Sequence, residues 1–325
     1  LKNFPRPLIL NRIRGMLDLS SVESLLITGS NGFVGRSVIS QISKLAPSNL
    51  PKRIVLVSRA GLDFELPKNL QGHTTLVAQD LTSEWSFHEQ ATHVINLAAD
   101  GGKDSYSTQA NQTFLSIVGN LTTWISNMEL KPKVFHASSG ACFGRISLGD
   151  EADTNHKKSD FASTRIEAEE HLKSASKEDN FDLTIGRLFA FSGIFLINKE
   201  QYAITDFVKN GVLGRDLLVH GDPQTVRSYL HQDAMANWIL TSLLQESSGI
   251  TLQIGSSTAV TIGELAEFVA EKTKVNVRYN QTHARGDIYL PNNWETRTKL
   301  GVDEGLCWQK AVEEMIEALR TDSHE

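Results

Sequence analysis

The residues able to do chemistry in this chain are mostly glycines and arginines, and their setting points to phosphate binding. The stretch "TGSNGFVG" puts Gly29, Gly32 and Gly35 directly between a short apolar run and a helical pattern. Glycine is needed there because the backbone must turn sharply and come close to a pyrophosphate. The free N–H groups and positive dipole end of the following helix then face the phosphates. The expected cofactor ligands from this stretch are Thr28, Gly29, Asn31, Gly32, Phe33, Val34, Gly35 and Arg36. NAD sites commonly end the second strand with an acid for the adenine ribose 2′-hydroxyl. Here that strand ends in Ser58 and Arg59, and no acid follows until Asp63. With Arg36, these residues suit a 2′-phosphate through paired charged hydrogen bonds. NADP is therefore expected ahead of NAD, which stays open as the alternative. The ten histidines show no ligand spacing, so no metal site is expected.

Positioning such a site takes alternating strands and helices. Apolar, β-branched runs occur at 24–28, 53–58, 74–79, 93–99, 133–139 and 183–190, with helical patterns at 105–129 and 161–178. Strands that alternate with helices imply a parallel sheet covered on both faces, a doubly wound α/β fold of Rossmann type. Beyond residue 192 the rhythm loosens into a smaller, partly interleaved lobe. The expected organisation is an N-terminal arm at 1–21 and a dinucleotide-binding domain at 22–192 with a return segment near 226–255. A substrate-binding lobe follows at 193–225 and 256–325. The opening segment lacks a continuous apolar core and reads as an arm or short helix at a subunit contact, not as a signal peptide.

The chain has 325 residues, a net charge of −6 and two cysteines. An acidic balance argues against nucleic acid held by phosphate contacts, while leaving room for a local basic pocket. Two cysteines make a disulfide framework improbable and fit a reducing compartment, so a cytoplasmic protein is expected. No apolar run is long enough to span a membrane.

Six motifs in order resemble the extended short-chain dehydrogenase/reductases, specifically the nucleotide-sugar epimerase/dehydratase family. They are the glycine turn, Asp80-Leu81, "VINLAA" with Asn96 in place of a histidine, "SSGACFG", "GRLFAFSG" and "GDPQTVRSYLHQD". The resemblance implies further cofactor contacts from Asp80, Leu81, Leu97, Ala98, Ala99 and Asn111. It also implies a nucleoside-diphosphate sugar in the cleft and a homodimer built on the helices at 105–129 and 161–178. Arg227 matches the family arginine that contacts the diphosphate, and a fixed planar donor suits that group. Arg285 is a second candidate, with Tyr202 and Cys142 as further substrate-lining residues.

In the family a serine, a tyrosine and a lysine four residues on handle the proton beside the nicotinamide. Ser139 aligns with the serine, but Phe161 stands in place of the tyrosine and Arg165 in place of the lysine. A phenyl ring neither donates nor accepts, and a guanidinium keeps charge without relaying a proton. None of the five tyrosines has a lysine four residues later, so no intact pair lies elsewhere. Gly140 and Ala141 replace the acids of the family's dehydratases and decarboxylases. What remains is epimerisation, ketone reduction, or binding without hydride chemistry by a sensor or partner subunit. Lys103 is the tentative substitute acid, in a loop with Asp100 and Asp104; Cys142 and His156 are weaker candidates. His136, in mid-strand, reads as a core histidine.

Overall fold

The computed structural model describes residues 17–87, 89–99, 106–144, 146–147, 159–197, 202–246, 248–280 and 286–322. Short runs with apolar residues on both faces form the strands β1 (Leu25–Thr28), β2 (Ile54–Ser58), β3 (Thr74–Ala78), β4 (His93–Asn96), β5 (Lys133–Ser139), β6 (Asp182–Leu188) and β7 (Ile250–Ile254). They make one parallel sheet in the order β3-β2-β1-β4-β5-β6-β7. The order reverses between β1 and β4, which opens a crevice at their carboxyl ends.

Alternation along the strands feeds two separate cores. Leu25 and Ile27 of β1 face α1 (Phe33–Ser43) and α5 (Gln232–Leu243). Leu26 faces the opposite layer, where α2 (Thr108–Ser126) and α3 (Asp160–Asp179) bury Phe114, Leu121, Ala168 and Leu172. Both α2 and α3 start on a serine cap, Ser107 to Ala110 N–H at 3.1 Å and Ser159 to Ala162 N–H at 3.2 Å. A third core lies in the lobe, between α4 (Ala203–Val212), α6 (Ile262–Thr273) and α7 (Trp308–Asp322).

The described part of the expected arm is core. Leu19 is fully buried and its N–H donates to Asn49 O at 2.9 Å, while Leu17 packs against the same cluster. Alternate apolar residues at 17 and 19 face inward, so the segment from 17 onward belongs to the sheet domain. No described helix is long and apolar enough to cross a membrane.

Candidate active site at the switch point

The glycine turn has the geometry a phosphate cradle needs. Gly29 has φ +68°, and a Cβ there would lie 2.8 Å from the Leu97 carbonyl. A Cβ on Gly35 would lie 2.4 Å from Gly29 O, so α1 can approach the turn only without one. Unlike α2 and α3, α1 begins on a residue, Gly32, that offers no side-chain cap. Its first-turn N–H groups remain for an anionic ligand. Thr28 pins the turn to β4: its hydroxyl donates to Asn96 Oδ1 at 2.7 Å and accepts from the Leu97 and Ala98 N–H groups at 3.1 and 3.2 Å. Asn96 in turn donates to His136 Nδ1 at 3.0 Å. Burial, with the positive charge of Arg165, brings the His136 pKa down to about 3. It is a neutral core histidine, as its mid-strand position implies.

At the adenosine end, the loop after β2 folds back onto the turn. Asn31 donates to Gly61 O at 2.9 Å, and Ser58 reaches the same carbonyl at 2.7 Å. This brings Asp63 to Arg36, whose Nη2 pairs with it at 2.7 Å while the guanidinium lies over Phe64. Arg36, expected as a free cation for a 2′-phosphate, is therefore already engaged by a carboxylate. Sequence distance hid that acid, which the fold places beside the turn. Arg59 and Ala99 are exposed, and Leu81 is buried. Asp80 accepts from the Thr82 N–H and hydroxyl, which hold its carboxyl below the usual range.

At the reaction end, Ser139 closes β5. Its oxygen accepts from the Ala141 N–H at 3.1 Å, which leaves the hydroxyl hydrogen for a substrate oxygen. Arg165 is 7% exposed and lies between two rings, its guanidinium carbon 3.4 Å from the centre of Phe114 and 4.4 Å from that of Phe161. Burial lowers its pKa to about 10, so it stays charged at neutral pH. Its Nη1 has no hydrogen-bond partner, nor has the buried Oδ1 of Asn111. Desolvating an unpaired cation is costly, and the ring faces offset only part of that cost. The orphaned donor and acceptor, with the uncapped turn, fit a bound dinucleotide.

Cys142, expected to line the substrate site, is buried. Its thiol is buried against Glu169, and burial, reinforced by that carboxylate, pushes its pKa up. Glu169, fully buried, also accepts from Ser138 at 2.6 Å and from both Nε and Nη2 of Arg187, at 2.9 and 2.7 Å. Burial pulls its carboxyl upward, but the Arg187 and Ser138 hydrogen bonds outweigh that and hold it below the usual range. No local pattern marks these partners, which come from two strands, a turn and a helix.

Arg227, the candidate diphosphate ligand, is part-buried with its Nη1 paired to Asp287 and hydrogen-bonded to Val226 O at 2.8 Å. Tyr202 starts α4 and is 42% exposed. Phe189 stacks on Phe143 and contacts Tyr289, whose hydroxyl would lie 2.7 Å from a Cβ on Gly140. These aromatics, missed in the sequence, form a wall beside Ser139 that only glycine at 140 admits. Lys103, Asp100, Asp104, His156 and Arg285 lie outside the described residues. Among the described residues no cluster of metal ligands occurs.

Residues 25–255 match the family model described as the NAD dependent epimerase/dehydratase family. The chain belongs to that family, within the extended short-chain dehydrogenase/reductases. It is similar to a UDP-N-acetyl-alpha-D-glucosaminuronate decarboxylase of Bacillus cytotoxicus, 24% identical over 91% of this chain and 97% of the relative. Among solved structures it resembles the UDP-glucose 4-epimerase of Thermotoga maritima with UDP-glucose, with TM-score 0.75 and 17% identity, covering 92% of this chain and 99% of that one. It also resembles the Bordetella bronchiseptica enzyme WbmF in complex with NAD+, with TM-score 0.76 and 15% identity, covering 95% and 94%.

Proposed function

We propose that this protein binds NAD and a nucleoside-diphosphate sugar at the switch point and catalyses epimerisation or ketone reduction of the sugar. The observation that carries this reading is the buried Arg165, whose Nη1 has no hydrogen-bond partner. A chain with no ligand to hold would gain nothing from a desolvated cation without an ion-pair partner. The dinucleotide, when bound, supplies the hydride acceptor and donor. Arg165 would donate to its ribose hydroxyls, and the first turn of α1 would hold its phosphates. Ser139 would orient the reacting sugar oxygen, and Arg227 would exchange Asp287 for the diphosphate.

The carboxylate beside Arg36 and the NAD+ held by the Bordetella neighbour favour NAD over the NADP first expected. The decarboxylase relative's reaction is not carried over, since Ala141 has no carboxylate. A homodimer through α2 and α3 is the assembly that the resemblance implies, and the two cysteines fit a cytoplasmic setting. A second reading, a binding subunit without hydride chemistry, is favoured by the phenyl ring at 161. Emission from NADH titrated into the protein, with and without a panel of UDP-sugars, separates the two. Binding followed by sugar-dependent loss of the reduced cofactor, or by conversion of one sugar to its epimer, supports the enzyme. Stable binding without turnover supports the second reading.

A further inference from the structure

The ring of Phe161 has an aromatic neighbour from another element. Tyr106, at the approach to α2, packs on it with ring centroids 4.9 Å apart and an interplanar angle of 57°. Tyr106 is 61% exposed, so its phenol is open to a ligand. Arg165 lies on the same Phe161 ring. The phenol and the cation that the family carries on one helix thus both contact Phe161 here, the phenol from the segment before α2 and the cation from α3.

The other phenols are worse placed. Tyr229 is buried in the lobe core, where burial pushes its pKa far up. Tyr279 donates to Glu267 on the lobe, which, with some burial, pushes its pKa up to about 12. Tyr202 belongs to the start of α4. Tyr289 is at the cleft but packs on Phe189 and Gly140, whereas Tyr106 touches the substituted position itself.

We propose that Tyr106 is the catalytic phenol that position 161 has lost. The assignment rests on the enzymatic reading above. As a sugar carbinol is oxidised, its C–H bond breaks and the hydride leaves with its electron pair to an oxidised nicotinamide. The O–H bond breaks with it, its electrons form the carbonyl, and the proton passes to the Tyr106 phenolate. Return of the hydride to the carbonyl draws the same proton back. Tyr106 is then a phenolate before the first step and after the second and a phenol between them, with the Arg165 cation on the same Phe161 ring.

Nitration of the full chain by tetranitromethane, mapped by peptide mass spectrometry, reads the placement without needing turnover. Tyr106 is expected to be nitrated in the free protein and protected several-fold by NAD+ with UDP-glucose, while Tyr279 reacts equally in both. Tyr106→Phe is then expected to lower turnover by about 100-fold or more with NADH affinity unchanged. Adding Phe161→Tyr to that variant should recover part of the loss. Equal nitration with and without ligands overturns the proposal, as does full turnover in Tyr106→Phe. A loss confined to Tyr289→Phe overturns it too, by assigning the role to Tyr289. Wild-type protein that binds both ligands without turnover overturns the enzymatic reading, and the assignment with it, before any variant is made.

Discussion

Arg165 and Phe161 stand one helical turn apart on α3, with the guanidinium carbon 4.4 Å from the centre of the phenyl ring. Phe114 closes the other side at 3.4 Å. A planar cation is suited to such a slot in a way that an ammonium is not. The two side chains therefore stack, the flat guanidinium lying on the ring face.

Arg165→Met should separate what the charge does for the fold from what it does for a ligand. With the unpaired cation gone, the free protein should be at least as stable as wild type, gaining on the order of 1–2 kcal/mol by urea denaturation. NADH affinity, read by fluorescence, should fall about 10- to 100-fold. A variant that loses stability and keeps its affinity would make Arg165 a packing residue.

Asp63→Ala should change which dinucleotide binds. It frees Arg36 and removes a carboxylate that would repel a 2′-phosphate. The ratio of NADPH to NADH affinity should rise about 10-fold, in proportion to one recovered charged hydrogen bond. An unchanged ratio would place the 2′ position away from this pair.

Gly35→Ala should push α1 off the turn, because its Cβ would meet Gly29 O at 2.4 Å. The cost should be about 1–3 kcal/mol of stability, with cofactor binding weakened by more than stability alone explains. Equal losses in both would count against a phosphate cradle.

Acid should destabilise the protein partly through His136. Its folded pKa, near 3, is depressed below the ordinary 6.5. Between those values the unfolded chain binds a proton that the folded one refuses. The stability present above pH 6.5 is therefore lost progressively as pH falls towards 3, by a few kcal/mol for this group. His136→Gln should flatten that part of the denaturation-midpoint profile; an unaltered slope would shift the cause to other groups.

Glu169→Gln should destabilise by about 3–5 kcal/mol, because it leaves Arg187 without its buried carboxylate. Glu169→Gln combined with Arg187→Met should lose less than the single change. Additive losses would mean that the two side chains do not act as a pair.

Local demands were readable in the sequence and long-range pairings were not. The turn at Gly29 was legible because backbone sterics leave glycine as the residue that fits, and β1 to β6 because buried parallel strands must be apolar. Phe161 and Arg165 were legible as departures from a spaced pattern. By contrast, Asp63 reaches Arg36 and Asp287 reaches Arg227 only through the fold. The contact of Cys142 with Glu169 was hidden for the same reason, since its sequence neighbours say nothing of Glu169. The meeting of Tyr106 with Phe161 was not legible, because it joins the segment before α2 to a helix 55 positions further on.

Glu169 has a consequence for how this fold can change over generations. It ties β5, the turn after it, α3 and β6 together through Ser138, Cys142 and Arg187. Ser139 is the next residue after Ser138, and Arg165 lies one turn before Glu169. The scaffold of the reaction end is thus held by side chains that take no part in reacting. Mutation can exchange neighbouring side chains on α3 while the socket keeps its shape. A lineage built this way can drift between reactions, or between reacting and merely holding, without first having to invent a new fold.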